Sequence, residues 1–348
     1  MKRYSYPSFI LLVVSSFFIC CDKMDDGKMI KPQALNIGDT IAFCAPAAPL
    51  DTTRIILAKK RLTEMGFYVL QPVSLFRRWG YLAGSDAQRA EELMAFFQDR
   101  TVKAIFPGTG GYGTTRILDL LDYAIIRSNP KIFIGFSDIT GVHIALNQMA
   151  GLVTFHTPNP MYGLGSDEGL EPTAETYFWS LLSGDEKMYQ IPFNLYGDSL
   201  GVEVMVPGKA QGCLAGGNLS LICAAMGSPY EIQTNGKLLF MEDIGEAPYR
   251  IDRYLRELKL AGKLDRVAGV ILGRFTRRKE EPPDNPGDFT MEEVLEQYFK
   301  NFNVPVVKNF PAGHVRTNIS LPLGVPAELD TEQGVLRLLE SPTVNKDR

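Results

Sequence analysis

Apolar and polar stretches alternate in a regular order from Ile37 onward. "DTIAFCAPAAP" is an apolar run ending in prolines, and "TRIILAKKRLTEMG" follows with helical spacing and a terminal Gly66. "FYVLQPVS" reads as a strand, and "SDAQRAEELMAFFQD" predicts a helix with Ser85 as its N-cap. "VKAIFPGTGGYG" predicts a strand entering a glycine turn, followed by a helix over "TTRILDLLDYAII". "KIFIGFSDITGVHIALNQMAG" repeats the unit, with a short apolar strand, a turn at Gly135, Ser137 and Asp138, and a helix from Thr140 to Met149. "LVTFHTPNP" adds another strand. Strands alternating with helices imply a parallel, doubly wound α/β sheet of the Rossmann or flavodoxin type. Ligands bind such sheets at the carboxyl ends of the strands, where Gly108 to Gly113 and Ser137 fall.

The rhythm breaks between Tyr162 and Gly208, a stretch rich in Gly, Pro and acids with one helix-like piece, "TAETYFWSLLSG". Beyond it, "GKAQGCLAGGNLSLICAAMG", "GKLLFMEDIGE", "PYRIDRYLRELKLAG" and "RVAGVILGRF" predict a second α/β unit. Ile251, Tyr254, Leu255 and Leu258 recur at i, i+3, i+4 and i+7, which gives one core-facing stripe. The expected organisation is a leader over 1–21, a linker over 22–36, an N-terminal domain over 37–163, a connection over 164–207 and a C-terminal α/β domain over 208–340.

Composition changes this picture little. At 348 residues, 45% apolar and 22% charged, the chain has room for two domains and no signature of disorder. A net charge of −4 argues against a nucleic-acid partner, which needs clustered Lys and Arg. The one basic cluster, in "GRFTRRKEEPPDNPGD", runs straight into acids and prolines and reads as a solvated loop.

The first residues add an address. Lys2 and Arg3 precede an uncharged stretch from Tyr4 to Cys21, too short to span a membrane comfortably. It ends in Cys20-Cys21-Asp22, which resembles the acylation site of a bacterial lipoprotein, with Cys21 (or Cys20) as the modified residue. Phe18 and Ile19 depart from the usual box, so an uncleaved anchor or an ordinary signal stays open. Each reading exports the chain to the cell envelope, with the membrane engaged only through the leader. Cys44, Cys213 and Cys223 show no metal spacing, and their odd number argues against a disulfide framework; they read as core fillers.

The chemistry turns on Ser137. As the first polar residue after a strand it is either a helix N-cap or a nucleophile, and position alone leaves both open. The elbow pattern asks for Gly two residues later, where this chain has Ile139. A hydroxyl needs a base, and there are three histidines. His143 lies too far along the same helix, His156 reads as a structural hydrogen-bonding residue, and His314 sits in a loop between expected strands. Glu242 and Asp243 follow an apolar strand and are the candidate carboxylates for orienting a histidine.

Seven segments in order, "YLAGSDAQRAEEL", "GGYGTTRILDLLDY", "PKIFIGFSDITGVHIAL", "TFHTP", "GGNLSL", "EDIGEAPYRIDRYL" and "GHVRTNISLPLG", resemble the LD-carboxypeptidase family of serine peptidases, which trim bacterial peptidoglycan peptides. They cover roughly residues 37 to 335. The resemblance implies a nucleophile at Ser137, a carboxylate at Glu242 and a base at His314. It implies oxyanion donors from the backbone of Asp138 and of the Gly110-Gly111 turn, with Thr109, Tyr112 and Asn218 lining the substrate site. It further implies a swivelling-type C-terminal domain, a peptidoglycan-derived tetrapeptide as partner, a homodimer, and no metal or organic cofactor. Thr109 stands where many relatives carry Arg, and the leader is foreign to the best-known relatives. Two other functions stay open: a related serine carboxypeptidase acting on a peptide-nucleotide antibiotic, and a non-catalytic envelope protein that binds muropeptides.

Overall fold

A computed structural model describes residues 29–185, 190–195, 200–277 and 287–345. The leader, with Cys20 and Cys21, lies outside the described residues, as does 278–286 of the basic cluster.

The first half builds strands β1 (Thr40–Cys44), β2 (Tyr68–Leu70), β3 (Val102–Pro107), β4 (Ile132–Gly135) and β5 (Thr154–His156). They pair in parallel in the order β2-β1-β3-β4-β5, the doubly wound arrangement expected. Both faces of the sheet are covered, which is why Ile41 to Cys44 and Ile132 to Gly135 are apolar or small throughout. Helix α1 (Thr52–Glu64) buries Ile55, Ala58 and Leu62 on one face. Helix α2 (Asp86–Gln98) buries Leu93 and Phe97 on the other, with Phe97 stacked on Phe133. Burying an aromatic or leucine side chain of this kind contributes ~2–3 kcal/mol. Ser85 caps α2 as expected and closes a full capping box with Gln88.

The expected helix over "TTRILDLLDYAII" is instead two short 3₁₀ turns, Thr114–Arg116 and Leu118–Leu120, and then α3 (Tyr123–Ser128). Side-chain acceptors mark where the pieces begin. Asp138 Oδ2 takes the Thr114 amide, and Asp122 caps the amides of Ala124 and Ile125, so the helix restarts there. Helix α4 (Thr140–Ala145) opens into a wide π turn at Leu146–Ala150 and ends at Gly151.

The stretch expected to be a plain connection is built into both halves. Helix α5 (Pro172–Ser183) packs on the first sheet, with Phe178 edge-on to Phe106 and Trp179 stacked on Phe67. Strands β6 (Gln190–Pro192) and β7 (Glu203–Val206) form the two edges of the second sheet. Residues 30–35 of the expected linker are likewise tied down, with bonds from Ile30 to Gly151 and from Leu35 to Leu182.

In the second sheet β8 (Lys209–Asn218), β9 (Leu238–Ile244), β10 (Gly269–Thr276) and β11 (Val306–Lys308) run parallel. The first residues of the basic cluster belong to β10, where Arg274 is buried rather than solvated. Helices α6 (Leu219–Ala224), α7 (Pro248–Leu260) and α8 (Met291–Phe299) cover one face, and α7 buries Ile251, Leu255 and Leu258 while Tyr254 is half-buried. Strand β12 (Leu321–Leu323) crosses back to pair antiparallel with β5 of the first sheet. Strands β13 (Pro326–Asp330) and β14 (Val335–Leu338) then complete the second. One core, from Phe43 and Phe106 to Phe240 and Leu329, is shared by both sheets. Cys44 and Cys223 are buried, Cys213 is half-buried, and all three are free thiols.

Candidate active site

Ser137 follows β4 and starts a 3₁₀ turn with φ 64°, one of two non-glycine residues at positive φ among those described. The N-cap of that turn is Phe136 and that of α4 is Ile139, so Ser137 holds neither capping position, which removes the N-cap reading. A left-handed serine between strand and helix is a strained turn that exposes its oxygen. The geometry forms without a glycine at Ile139 because Gly135 leaves the space: a Cβ there would sit 2.9 Å from Ile139 Cγ2. Gly110 does the same for the facing turn. A Cβ at Gly110 would lie 2.9 Å from Ser137 Cβ and 3.0 Å from the Asp138 amide nitrogen, so only glycine lets these backbones meet.

Glu242 lies in the buried run of β9, which Asp243 ends, and is fully buried. His314 Nδ1 lies 2.7 Å from Glu242 Oε2, so an Nδ1–H donating to the carboxylate leaves Nε2 free to accept a proton. Gly313, at φ 113°, makes the approach feasible, since a Cβ there would lie 2.5 Å from Glu242 Oε2. The Gly313 amide donates to Asn318 Oδ1 at 2.8 Å, which pins the loop. Phe136 packs against the His314 ring at 4.9 Å and fixes its tilt.

Ser137 and His314 line one cavity of about 740 Å³, together with Ala48, Thr109, Gly110 and Gly111. It opens among the loops that follow β1, β3, β4 and β5, at the carboxyl ends of the first sheet. In an unliganded site a nucleophile–base contact is commonly long and tightens with substrate.

Asn218 does not line this cavity. Its Nδ2 donates to Asp243 Oδ1 at 3.0 Å and approaches Glu242 Oε1 at 3.4 Å, so it orients the acid pair from behind. Its amide donates to Thr140 Oγ1, joining the second sheet to α4 beside the nucleophile. Burial, and then the neighbouring Glu242 charge, raise the Asp243 pKa to about 6. Tyr112 is exposed, edge-on to Tyr81, and also lies off the cavity wall. Thr109 is buried on the wall. Asp138 is buried, and its carboxylate serves the Thr114 amide.

The other histidines are packed away. His143 Nε2 meets the Gly135 carbonyl at 2.9 Å, and burial pulls its pKa down to about 4. His156 is not the hydrogen-bonding residue expected: neither ring nitrogen has a partner among the described residues, and the ring sits edge-on to Phe136 and Phe240. Burial, then the positions of His143 and His314, hold it well below the ordinary histidine range and keep it neutral.

One supporting residue was missed from sequence. Arg89 is 1% exposed and donates to the carbonyls of Gly84, Pro46 and Gly113 and to Asp86, clamping the loops after β1 and β3 around the cavity. The signal was present: Arg89 shares the α2 stripe of Leu93 and Phe97, and a charge on a core stripe needs partners.

Comparison with known proteins agrees with this architecture. Residues 41–157 match the LD-carboxypeptidase N-terminal domain, and residues 211–329 match the LD-carboxypeptidase C-terminal domain. A probable murein peptide carboxypeptidase of Bacillus subtilis is 40% identical over 304 residues, spanning 87% of this chain and 92% of the relative. The microcin C7 self-immunity protein MccF of Escherichia coli is 28% identical over 330 residues, spanning 88% of this chain and 94% of that protein. Among solved structures, a muramoyltetrapeptide carboxypeptidase from Oxalobacter formigenes superposes with a TM-score of 0.73 at 27% identity, covering 86% of this chain and 97% of that one. With both domain models matched in order and a 40% identical relative along most of its length, the chain belongs to the LD-carboxypeptidase family and is a hydrolase of peptide bonds.

Proposed function

We propose that the chain is a serine carboxypeptidase that hydrolyses the L,D bond before the terminal D-alanine of peptidoglycan tetrapeptide stems. The carrying observation is the Glu242–His314 contact at 2.7 Å on the wall of a cavity shared with a left-handed Ser137. Ser137 Oγ attacks the carbonyl before the terminal residue while His314 Nε2 takes its proton. Glu242 holds the imidazole in the Nδ1–H tautomer and stabilises its charge. The oxyanion is held by the Asp138 amide and by a second amide in the Gly110-Gly111 turn, each worth ~3 kcal/mol of barrier. His314 then protonates the leaving D-alanine amine, and a water activated by the same ring releases the trimmed stem from Ser137. The murein substrate is supported by the name of the 40% identical relative, against the 28% identity of the self-immunity protein.

The test is incubation of purified protein with a tetrapeptide stem and with a pentapeptide ending in D-Ala-D-Ala. Free D-alanine is expected from the first, with the tripeptide as co-product. Hydrolysis of the D,D bond of the pentapeptide in preference would overturn the reading.

We place the enzyme at the cell envelope, on the strength of the basic and apolar leader ending at Cys20-Cys21. Cells making the full chain with a radiolabelled fatty acid should show label on the protein in the membrane fraction, lost in Cys20→Ser/Cys21→Ser. Unlabelled protein in the cytosol would refute the placement.

A further inference from the structure

We propose that Arg316 is the cation that reads the free terminal carboxylate of the substrate; this rests on the carboxypeptidase reading above. A carboxypeptidase must sense negative charge one residue beyond the bond it cuts, so its cavity needs a fixed donor there. Among the described residues lining the cavity, the carboxylate and basic side chains are Glu171, His314 and Arg316. Glu171 is an acid, and its carboxylate caps α5 through the Ala174 amide at 2.9 Å. His314 is engaged with Glu242. Thr109, on the wall beside the Gly110-Gly111 turn, is neutral. Arg316 is the permanent cation that remains.

Its position suits the task. It stands two residues beyond His314, ~7 Å along the chain, so the guanidinium lies within side-chain reach of the leaving-group end. Its present partners leave it available. Nη1 donates to the Gly169 carbonyl at 2.5 Å, and Nη2 pairs with Glu168 at 3.2 Å, where the two side chains are 45% and 81% exposed. An exposed pair of this kind is worth little, and a guanidinium has five donors. A substrate carboxylate can therefore displace Glu168 while the Gly169 bond persists.

A second observation points to the same wall. Asn318 and Asn159 line the cavity, are 3% and 2% exposed, and have their amide oxygens fixed by the backbone N–H groups of Gly313 and Tyr162. Those bonds settle the flip of each amide and leave both buried NH₂ groups without a partner among the described residues. Buried donors with nothing to donate to are costly unless a ligand answers them. An anion held by Arg316 is such a ligand.

The experiment compares L-Ala-γ-D-Glu-L-Lys-D-Ala with its C-terminal amide; the lysine stem carries no second carboxylate on its diamino residue. Wild type should favour the free acid by about 30-fold in kcat/KM, the size of one charge-assisted contact. Arg316→Gln should bring that ratio to within about threefold of unity by losing the acid rate alone, and Arg316→Lys should retain an intermediate preference. A fall of equal size on acid and amide would make Arg316 a latch for the 163–170 loop and overturn the proposal, as would an unchanged ratio. Calorimetric binding of both peptides in a Ser137→Ala background separates this from the proposed reaction. Acid-selective binding that depends on Arg316 without turnover in the parent enzyme would retain the inference and sink the reaction. Turnover with discrimination intact in Arg316→Gln would do the reverse, and binding of neither peptide would overturn both.

Discussion

Replacing Ser137 or His314 by alanine is expected to lower kcat for tetrapeptide hydrolysis by roughly 10⁶-fold, and the double variant by no more than either alone. The two side chains act in one step, so once attack is lost the other has nothing left to assist. Glu242→Gln should cost about 10⁴-fold, because an amide that presents its NH₂ to Nδ1 favours the wrong tautomer. Ser137 is half-buried and holds no capping position, so its truncation opens no large core cavity, whereas His314→Ala takes from the buried Glu242 its 2.7 Å partner. Thermal unfolding should therefore move little in Ser137→Ala and fall in His314→Ala by about 2–3 kcal/mol for one lost charge-assisted contact, while kcat collapses in both. Measuring kcat beside Tm tests the assignment: an active His314→Ala enzyme, with activity lost in a folded His143→Ala or His156→Ala protein, would move the base elsewhere.

Gly313→Ala is expected to be the most damaging change outside the triad. Its φ of 113° strains any side chain, and the added Cβ would stand 2.5 Å from Glu242 Oε2, well inside contact distance. Glu242 cannot retreat, because it is fully buried and its β-carbon packs against Gly273. The loop must yield instead, and His314 moves with it. A displacement of ~1 Å in a catalytic group costs about 100-fold in rate. Strain and collision together should remove about 2–4 kcal/mol of stability. Gly236→Ala is the matched control: it too has positive φ, at 67°, but a Cβ there meets nothing within 4 Å, so it should cost only ~1 kcal/mol and leave kcat/KM unchanged. If Gly313→Ala behaves like Gly236→Ala in both unfolding and kinetics, the close packing of the loop on Glu242 is not what holds the base.

The alternation of apolar runs and helical stripes from Ile37 to Pro158 was enough to define the first sheet, its strand directions and the end at which a ligand site lies. That holds because parallel strands buried on both faces must be apolar along their whole length, and that pattern is local. The same is true of α7 and of the capping box at Ser85, where every deciding interaction spans a few residues. Ser137, Glu242 and His314 were readable as candidates because each follows an apolar strand or sits in a loop, but periodicity left Ser137 divided between cap and nucleophile, and only the ordered family motifs favoured the second.

What tertiary structure alone decided are the contacts made over long separations. Thr114 is tied through its amide and its hydroxyl to Asp138, 24 residues away, and the segment that follows forms two 3₁₀ turns rather than one helix. Strand β12 leaves its sequence neighbours for the first sheet, since β5 offers an open edge there. His156 looked polar and is instead a neutral ring among aromatics, and the Asn218 side chain turns to the Asp243 and Glu242 carboxylates. The meeting of Glu242 with His314 spans 72 residues and depends on Gly313 having no side chain, which no local pattern encodes. Sequence patterning sets which faces are buried; which polar atoms then face one another follows from the docking of the two sheets over a common core.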